Sequence, residues 1–270
     1  MKSLNLTFII IFVALLSANS LQALPLGMSD ITIYDGDSKN ENWYRGDEDQ
    51  EVEPGMDKHQ KWDLEGFYQY GNQIAMIGGF DFKNGVAGYR GVNGEKDFRS
   101  GDIFIDINND HIAGNAAAND GNGQDIIKNT FGYEFALDID WSVLTYDIIA
   151  LGIDSYTNTA FYDANYGSSP WKYVRGGEKI GQGSFSYQAG LTDAQAYGNR
   201  GGGNSHYAAY NFDLGFLGDR DFVVHFTEGC GNDNLMGEGS VQVTEPGSIA
   251  LLAFGVIGLV VMRRRINSRQ

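Results

Sequence analysis

Between its two ends the chain carries its apolar residues in short runs or at alternate positions, and the three-to-four spacing of an amphipathic helix is absent. The period of two is clearest in Tyr133 to Ile139 and in Tyr207 to Leu214. That alternation is the mark of a strand with one buried and one wet face. Nine segments read as strands: Ile31 to Tyr34, Trp62 to Tyr70, Gln73 to Phe82, Asp102 to Ile107, Tyr133 to Ile139, Leu144 to Leu151, Gly183 to Gln188, Ala208 to Leu214 and Phe222 to Thr227. Gly114 to Gln124 and Tyr197 to Asn204 are small, polar and glycine-containing, and read as long surface loops. Short strands without intervening helices predict an all-β fold, a single jelly-roll-like β-sandwich over residues 24–242.

The two ends break this pattern. At the front, Lys2 precedes a largely apolar stretch from Leu4 to Leu16, which gives way to small and polar residues through Ala23. A basic start, a short apolar core and small residues at its end predict a signal peptide over residues 1–23. At the back, Val243-Thr-Glu-Pro-Gly-Ser248 leads into the apolar run Ile249 to Met262 and then Arg263, Arg264 and Arg265. A run over 249–262 is shorter than the roughly 20 residues of an ordinary spanning helix, and the arginines hold the tail on the cytoplasmic side. Physics alone leaves a sorting signal and a plain membrane anchor both open for this segment.

Composition sharpens the picture in two respects. Five of the 19 basic residues (Lys2, Arg263, Arg264, Arg265, Arg269) lie in the terminal segments, leaving 14 against 35 acids over residues 24–245. Such a surface repels phosphate backbones and argues against nucleic-acid binding, while it attracts divalent cations and favours solubility outside the cell. The single cysteine, Cys230, excludes an intramolecular disulfide and makes a zinc cluster improbable; burial as a small hydrophobe is its expected role. Glycine is abundant, at 37 residues, which suits many tight turns between strands.

Residues 243–270 resemble the PEP-CTERM sorting signal of Gram-negative bacteria, which combines a Pro-Glu-Pro motif, a transmembrane stretch and an arginine cluster. Glu245, Pro246, Gly247, Ser248, the apolar run and Arg263 to Arg265 carry the match, and Thr244 stands where the motif has its first proline. The resemblance implies an exosortase-type processing enzyme as partner, a precursor held in the inner membrane, release to the cell surface or medium, and co-export of polysaccharide. Glu48 to Gly55, Trp62 to Phe67, Gly78 to Phe82, Gly101 to Asp106 and Cys230 to Asp233 together resemble a recurrent ectodomain of such sorted surface proteins, a resemblance that implies compartment and class rather than a reaction.

Two constellations carry candidate chemistry. In Asp102-Ile-Phe-Ile-Asp106-Ile-Asn108-Asn-Asp110, the last three oxygen-bearing side chains have the alternate spacing of a calcium loop. His111 and Ala117 stand where an EF-hand has glycine and glutamate, so calcium at Asp102, Asp106, Asn108 and Asp110 would need ligands from elsewhere, such as Asp35, Asp37, Glu51 or Glu53. The alternative is an Asn/Asp turn after a strand. Tyr162, Tyr166 and Trp171 mix rings with polar neighbours and form a candidate surface for exopolysaccharide, against the default that strand aromatics are core. Enzyme signatures are missing: Gly203-Asn-Ser-His-Tyr207 lacks the closing glycine of a nucleophile elbow, and no carboxylate pair stands out among 35 acids. The expectation is a non-enzymatic exported surface or matrix protein with a structural or adhesive role, with a carbohydrate-binding module as the alternative and a secreted carbohydrate-active enzyme as the remote one.

Overall fold

The computed structural model describes residues 27–33, 57, 59–91, 94–112, 124–161, 168–196 and 205–242, so both terminal signals lie outside the described residues. Among those described, regular structure consists of strands and two short 3-10 turns, and no helix is long and apolar enough to cross a membrane.

Two large antiparallel sheets dominate. One has five strands in the order β1-β2-β3-β14-β13, built from β1 (Ser29–Asp30), β2 (Gly66–Tyr70), β3 (Gln73–Gly78), β13 (Ser186–Leu191) and β14 (His206–Asp213). The other has six, in the order β12-β9-β8-β6-β15-β16, from β6 (Ile103–Asp106), β8 (Phe135–Asp140), β9 (Thr145–Ala150), β12 (Glu178–Ser184), β15 (Arg220–Thr227) and β16 (Asn234–Val241). A hairpin of β4 (Val86–Gly91) and β5 (Gly94–Phe98) and a small sheet of β7 (Ile126–Lys128), β10 (Tyr156–Asn158) and β11 (Lys172–Arg175) complete the described elements.

Alternation sorts the side chains. Ile103, Ile105, Leu137, Ile139, Tyr146, Ile148, Phe222, Val224 and Phe226 of the six-stranded sheet share one buried cluster with Phe67, Ile74, Met76, Ala209 and Phe212 of the five-stranded sheet. Trp62, Phe80, Phe82 and Trp141 belong to the same cluster, and Phe185, on the crossing from β12 to β13, stacks on Phe212 at 4.5 Å between ring centroids. The opposite face of the six-stranded sheet, through Phe104, Ala136 and Ile149, packs against Phe131, Tyr133, Ile127 and Tyr173, so the small sheet covers part of it. Tyr68, Ala75, Ile77, Ala208 and Tyr210 form a third cluster with Leu191 and Ala196 on the other face of the five-stranded sheet.

Each of the nine expected strands overlaps observed pairing, with one partition redrawn. Gly183 to Gln188 spans the end of β12 and the start of β13, because the chain passes from one large sheet to the other at Phe185. The N-terminal part of the expected Trp62 to Tyr70 strand is a 3-10 turn at Gln60–Trp62 that buries Trp62. The loops expected at 114–124 and 197–204 fall almost wholly outside the described residues.

Candidate functional site

The residues after β6 form the first cluster. Asp106 is buried and its Oδ1 accepts the backbone N–H of Asn108 at 2.8 Å and of Asn109 at 2.9 Å. Its Oδ2 accepts the N–H of His111 at 3.1 Å and meets His111 Nδ1. Burial alone would raise this carboxyl, but these hydrogen bonds outweigh it and hold the pKa below the usual carboxylate range. Asn109 takes a positive φ of 61°, a conformation asparagine tolerates, which lets the chain double back. Glu134 reaches across to the same loop, its Oε2 accepting Ile107 N at 2.9 Å and its Oε1 accepting Asn108 Nδ2 at 2.8 Å. One oxygen each of Asp106, Asp110 and Glu134 lies within 4.8 Å of the others. Gly132 permits this approach: its φ is 84°, and a Cβ there would stand 2.7 Å from the Asp110 carbonyl oxygen.

Of the four residues expected to hold calcium, the structure thus brings together Asp106 and Asp110, places Asn108 in the same loop with its amide on Glu134, and directs Asp102 elsewhere. Asp102 is fully buried; its Oδ1 accepts Ile139 N at 2.9 Å and its Oδ2 accepts Tyr173 N at 2.8 Å. Strand alternation cannot separate Asp102 from Asp106, since a spacing of four keeps one face, but Asp102 precedes the first residue of β6 and turns toward β8 and β11. Burial raises its pKa to about 7, with Lys172 opposing and Asp138 reinforcing the rise. Glu134 was missed in the sequence because it lies 28 positions beyond Asp106 and joins the loop only through the pairing of β6 with β8. The further ligands considered, Asp35, Asp37, Glu51 and Glu53, lie outside the described residues.

Tyr162 and Tyr166 also lie outside the described residues. Trp171 is half-buried, and its indole lies over two glycines: a Cβ on Gly101 would meet its Cδ1 at 2.7 Å, and one on Gly229 would meet its Cε2 and Cζ2 at 3.1 Å. Its Nε1 is buried without a hydrogen-bond partner. The ring is therefore a wedge between the β5–β6 connection and the β15–β16 turn rather than an open stacking platform.

A third polar group centres on a buried histidine and glutamate. His206, the first residue of β14, is buried with Nδ1 at 2.6 Å from Glu65 Oε1 and Nε2 at 2.7 Å from Asp193 Oδ1, while Gln60 Nε2 donates to Glu65 Oε1 at 2.6 Å. The hydrogen bond to Glu65 is the main reason its pKa rises to about 9, against a burial effect that works the other way. His225 is the contrast: burial lowers it to about 4, its Nε2 meets Pro170 O at 2.9 Å, and its ring stacks on Tyr133. Cys230 is buried, as expected, with Sγ at 3.2 Å from Glu228 Oε1, and burial raises both the thiol and the Glu228 carboxyl well above their ordinary values.

A groove of about 840 Å³ is lined by Lys83, Asn84, Arg99, Asp138, Asp140, Trp141, Asp147 and Lys172 among others. Glu65, buried in the ion pair with His206, takes no part in it.

Comparison with known proteins is informative at one end of the chain. Residues 242–265 match the model of the PEP-CTERM protein-sorting motif. No curated protein and no solved structure matches the chain. The motif marks an exported protein whose membrane-anchored precursor is processed by an exosortase on its way to the surface, and by that motif the chain is a PEP-CTERM, exosortase-sorted protein.

Proposed function

We propose that this protein is a non-enzymatic component of the cell surface or extracellular matrix, with a structural or adhesive role, formed by a jelly-roll-like β-sandwich between a cleaved signal peptide and the sorting signal. The observation that carries the reading is the sorting motif at residues 242–265 attached to an acidic, all-β body. The shared core of the two large sheets supports the sandwich. Among the described histidines, His206 has a carboxylate on each nitrogen, His225 is buried with one nitrogen on a carbonyl, and His111 and His59 each meet an aspartate. No described histidine has a hydroxyl or thiol hydrogen bond of the kind that activates a nucleophile.

A role for calcium in stabilising the loop after β6 is favoured by one observation, the convergence of Asp106, Asp110 and Glu134. A hard cation there would offset three clustered carboxylates, using oxygens that also accept loop N–H groups.

The test of the main reading is intact mass of the protein recovered from cells and medium of the producing strain, beside a Glu245→Ala, Pro246→Ala variant. Removal of the tail beyond the motif in the wild type, and its retention in the variant, is the expected result. A full-length tail in both would make residues 249–262 a simple anchor and end the sorting account.

A further inference from the structure

The groove along the six-stranded sheet contains charged side chains that the fold does not use. In the register of β8 with β9, Asp138 lies directly opposite Asp147, and Asp140 follows two residues later on the same face. Leu137, Ile139, Tyr146 and Ile148 point the other way into the core, so alternation delivers all three carboxylates to the outer face. Two of the three are occupied. Asp147 forms a salt bridge with Lys179 at 2.7 Å, and Asp140 accepts the N–H and hydroxyl of Ser142. Asp138 is half-buried, yet it makes no hydrogen bond or salt bridge with any described residue, and Lys172 and Lys83 on the same groove are likewise uncommitted among the described residues. Lys172 and Asp138 attract one another without forming an ion pair.

Their separation is set by a buried carboxylate. Asp102 accepts the N–H of Ile139 and the N–H of Tyr173, the residues immediately following Asp138 and Lys172. One fully buried side chain therefore holds β8 to β11 and fixes the backbone positions from which the anion and the cation project into the groove. A buried acid that anchors the backbone beside two opposite charges, neither of them paired among the described residues, makes a preorganised recognition element.

We propose that this groove binds a neutral, polyhydroxylated ligand of the sugar class, with Asp138 accepting from and Lys172 donating to ring hydroxyls. An anionic ligand would face Asp138, Asp140 and Asp147, and a cationic one would face Lys83, Arg99 and Lys172, whereas a hydroxyl both donates and accepts and so satisfies an anion and a cation together. Thr145 adds a hydroxyl to the wall, whereas Asn84, Ser100 and Ser142 donate to Asp81, Phe82 and Asp140 within the fold. Its size, about 840 Å³, falls in the roughly 300–1,000 Å³ range of small-ligand sites. The groove depends on hydrogen bonding rather than ring stacking, since Trp141 is almost wholly in the core and its Nε1 donates to Gly101 O at 3.1 Å.

The experiment is a printed panel of neutral, uronic-acid and free-amino glycans probed with the full-length chain in detergent, followed by calorimetric titration of the best neutral glycan. Asp138→Asn and Lys172→Met each remove a charge while keeping most of the side-chain volume, and Glu238→Gln on β16 serves as the distant control. Binding confined to neutral glycans, weakened about tenfold or more by both groove variants and unchanged in the control, is expected from the loss of one charge-assisted hydrogen bond. The proposal is overturned by absence of binding across the panel, by binding of acidic or amino glycans alone, or by groove variants that are folded by circular dichroism and bind as the wild type does. None of these outcomes touches the sorting experiment, so the two readings fail separately.

Discussion

The His206 clasp makes the sharpest thermodynamic prediction. Its imidazole is fully buried between Glu65 and Asp193, and its pKa is raised from the ordinary 6.5 to about 9. At roughly 1.4 kcal/mol per tenfold change in proton affinity, this displacement corresponds to about 3 kcal/mol of stability held by the charged form. Because the folded pKa is the higher one, that stability is fully present below pH 6.5, declines as pH rises, and is gone above about pH 9, when both states are neutral. The suitable perturbation is the double variant His206→Gln, Glu65→Gln, which removes the central pair of charges and leaves amides able to hydrogen-bond. His206→Gln alone would strand a buried Glu65 carboxylate and add a second titration to the difference. Melting curves of wild type and double variant at pH 6, 7.5 and 9.5 give the comparison. At about 2–4 °C per kcal/mol for a domain of this size, the gap near pH 6 is on the order of 6–12 °C, closing toward zero by pH 9.5. A gap that is constant across this range, or that widens as pH rises, refutes the assignment of a charged His206 to the native clasp.

Other outcomes follow from the same structure. Glu228 has one carboxyl oxygen buried without a partner and a pKa raised well above its ordinary value by burial; folded protein therefore loses stability as pH climbs past the ordinary carboxylate range, and the melting temperature of Glu228→Gln should gain on wild type between pH 5 and 8. Asp102→Ala leaves the N–H groups of Ile139 and Tyr173 without acceptors, at about 1–3 kcal/mol each, so urea denaturation should show a loss on the order of 2–6 kcal/mol. Calcium at millimolar concentration should raise the melting temperature of wild type and not of Glu134→Gln; an unchanged wild-type melt would leave the loop after β6 as an Asp-capped turn. Gly132→Ala should cost stability by pushing a Cβ against Asp110 in a conformation that only glycine enters freely, read as a lower melting temperature in calcium-free buffer.

Read alone, the sequence determined the class of structure and the destination of the chain. Alternation in segments such as Tyr133 to Ile139 and Tyr207 to Leu214 depends on neighbours two residues apart, so strands with one strong apolar face were visible. The sorting signal was equally visible, being a contiguous order of motif, apolar run and arginines that a folded context does not alter. Strands lacking that contrast were not: β16, Asn-Leu-Met-Gly-Glu-Gly-Ser-Val, carries two glycines and becomes a strand because all eight residues pair with β15. The tertiary structure alone decided which polar groups meet. Asp106 and Asp110 share a loop and could be paired by spacing, but Glu134 arrives through β8, Asp193 and Glu65 reach His206 from different turns, and Asp102 leaves its sequence neighbours to join β8 to β11. Side chains brought together by strand pairing across tens of residues leave no periodic trace in the chain, because their proximity is a property of register and layering rather than of local spacing.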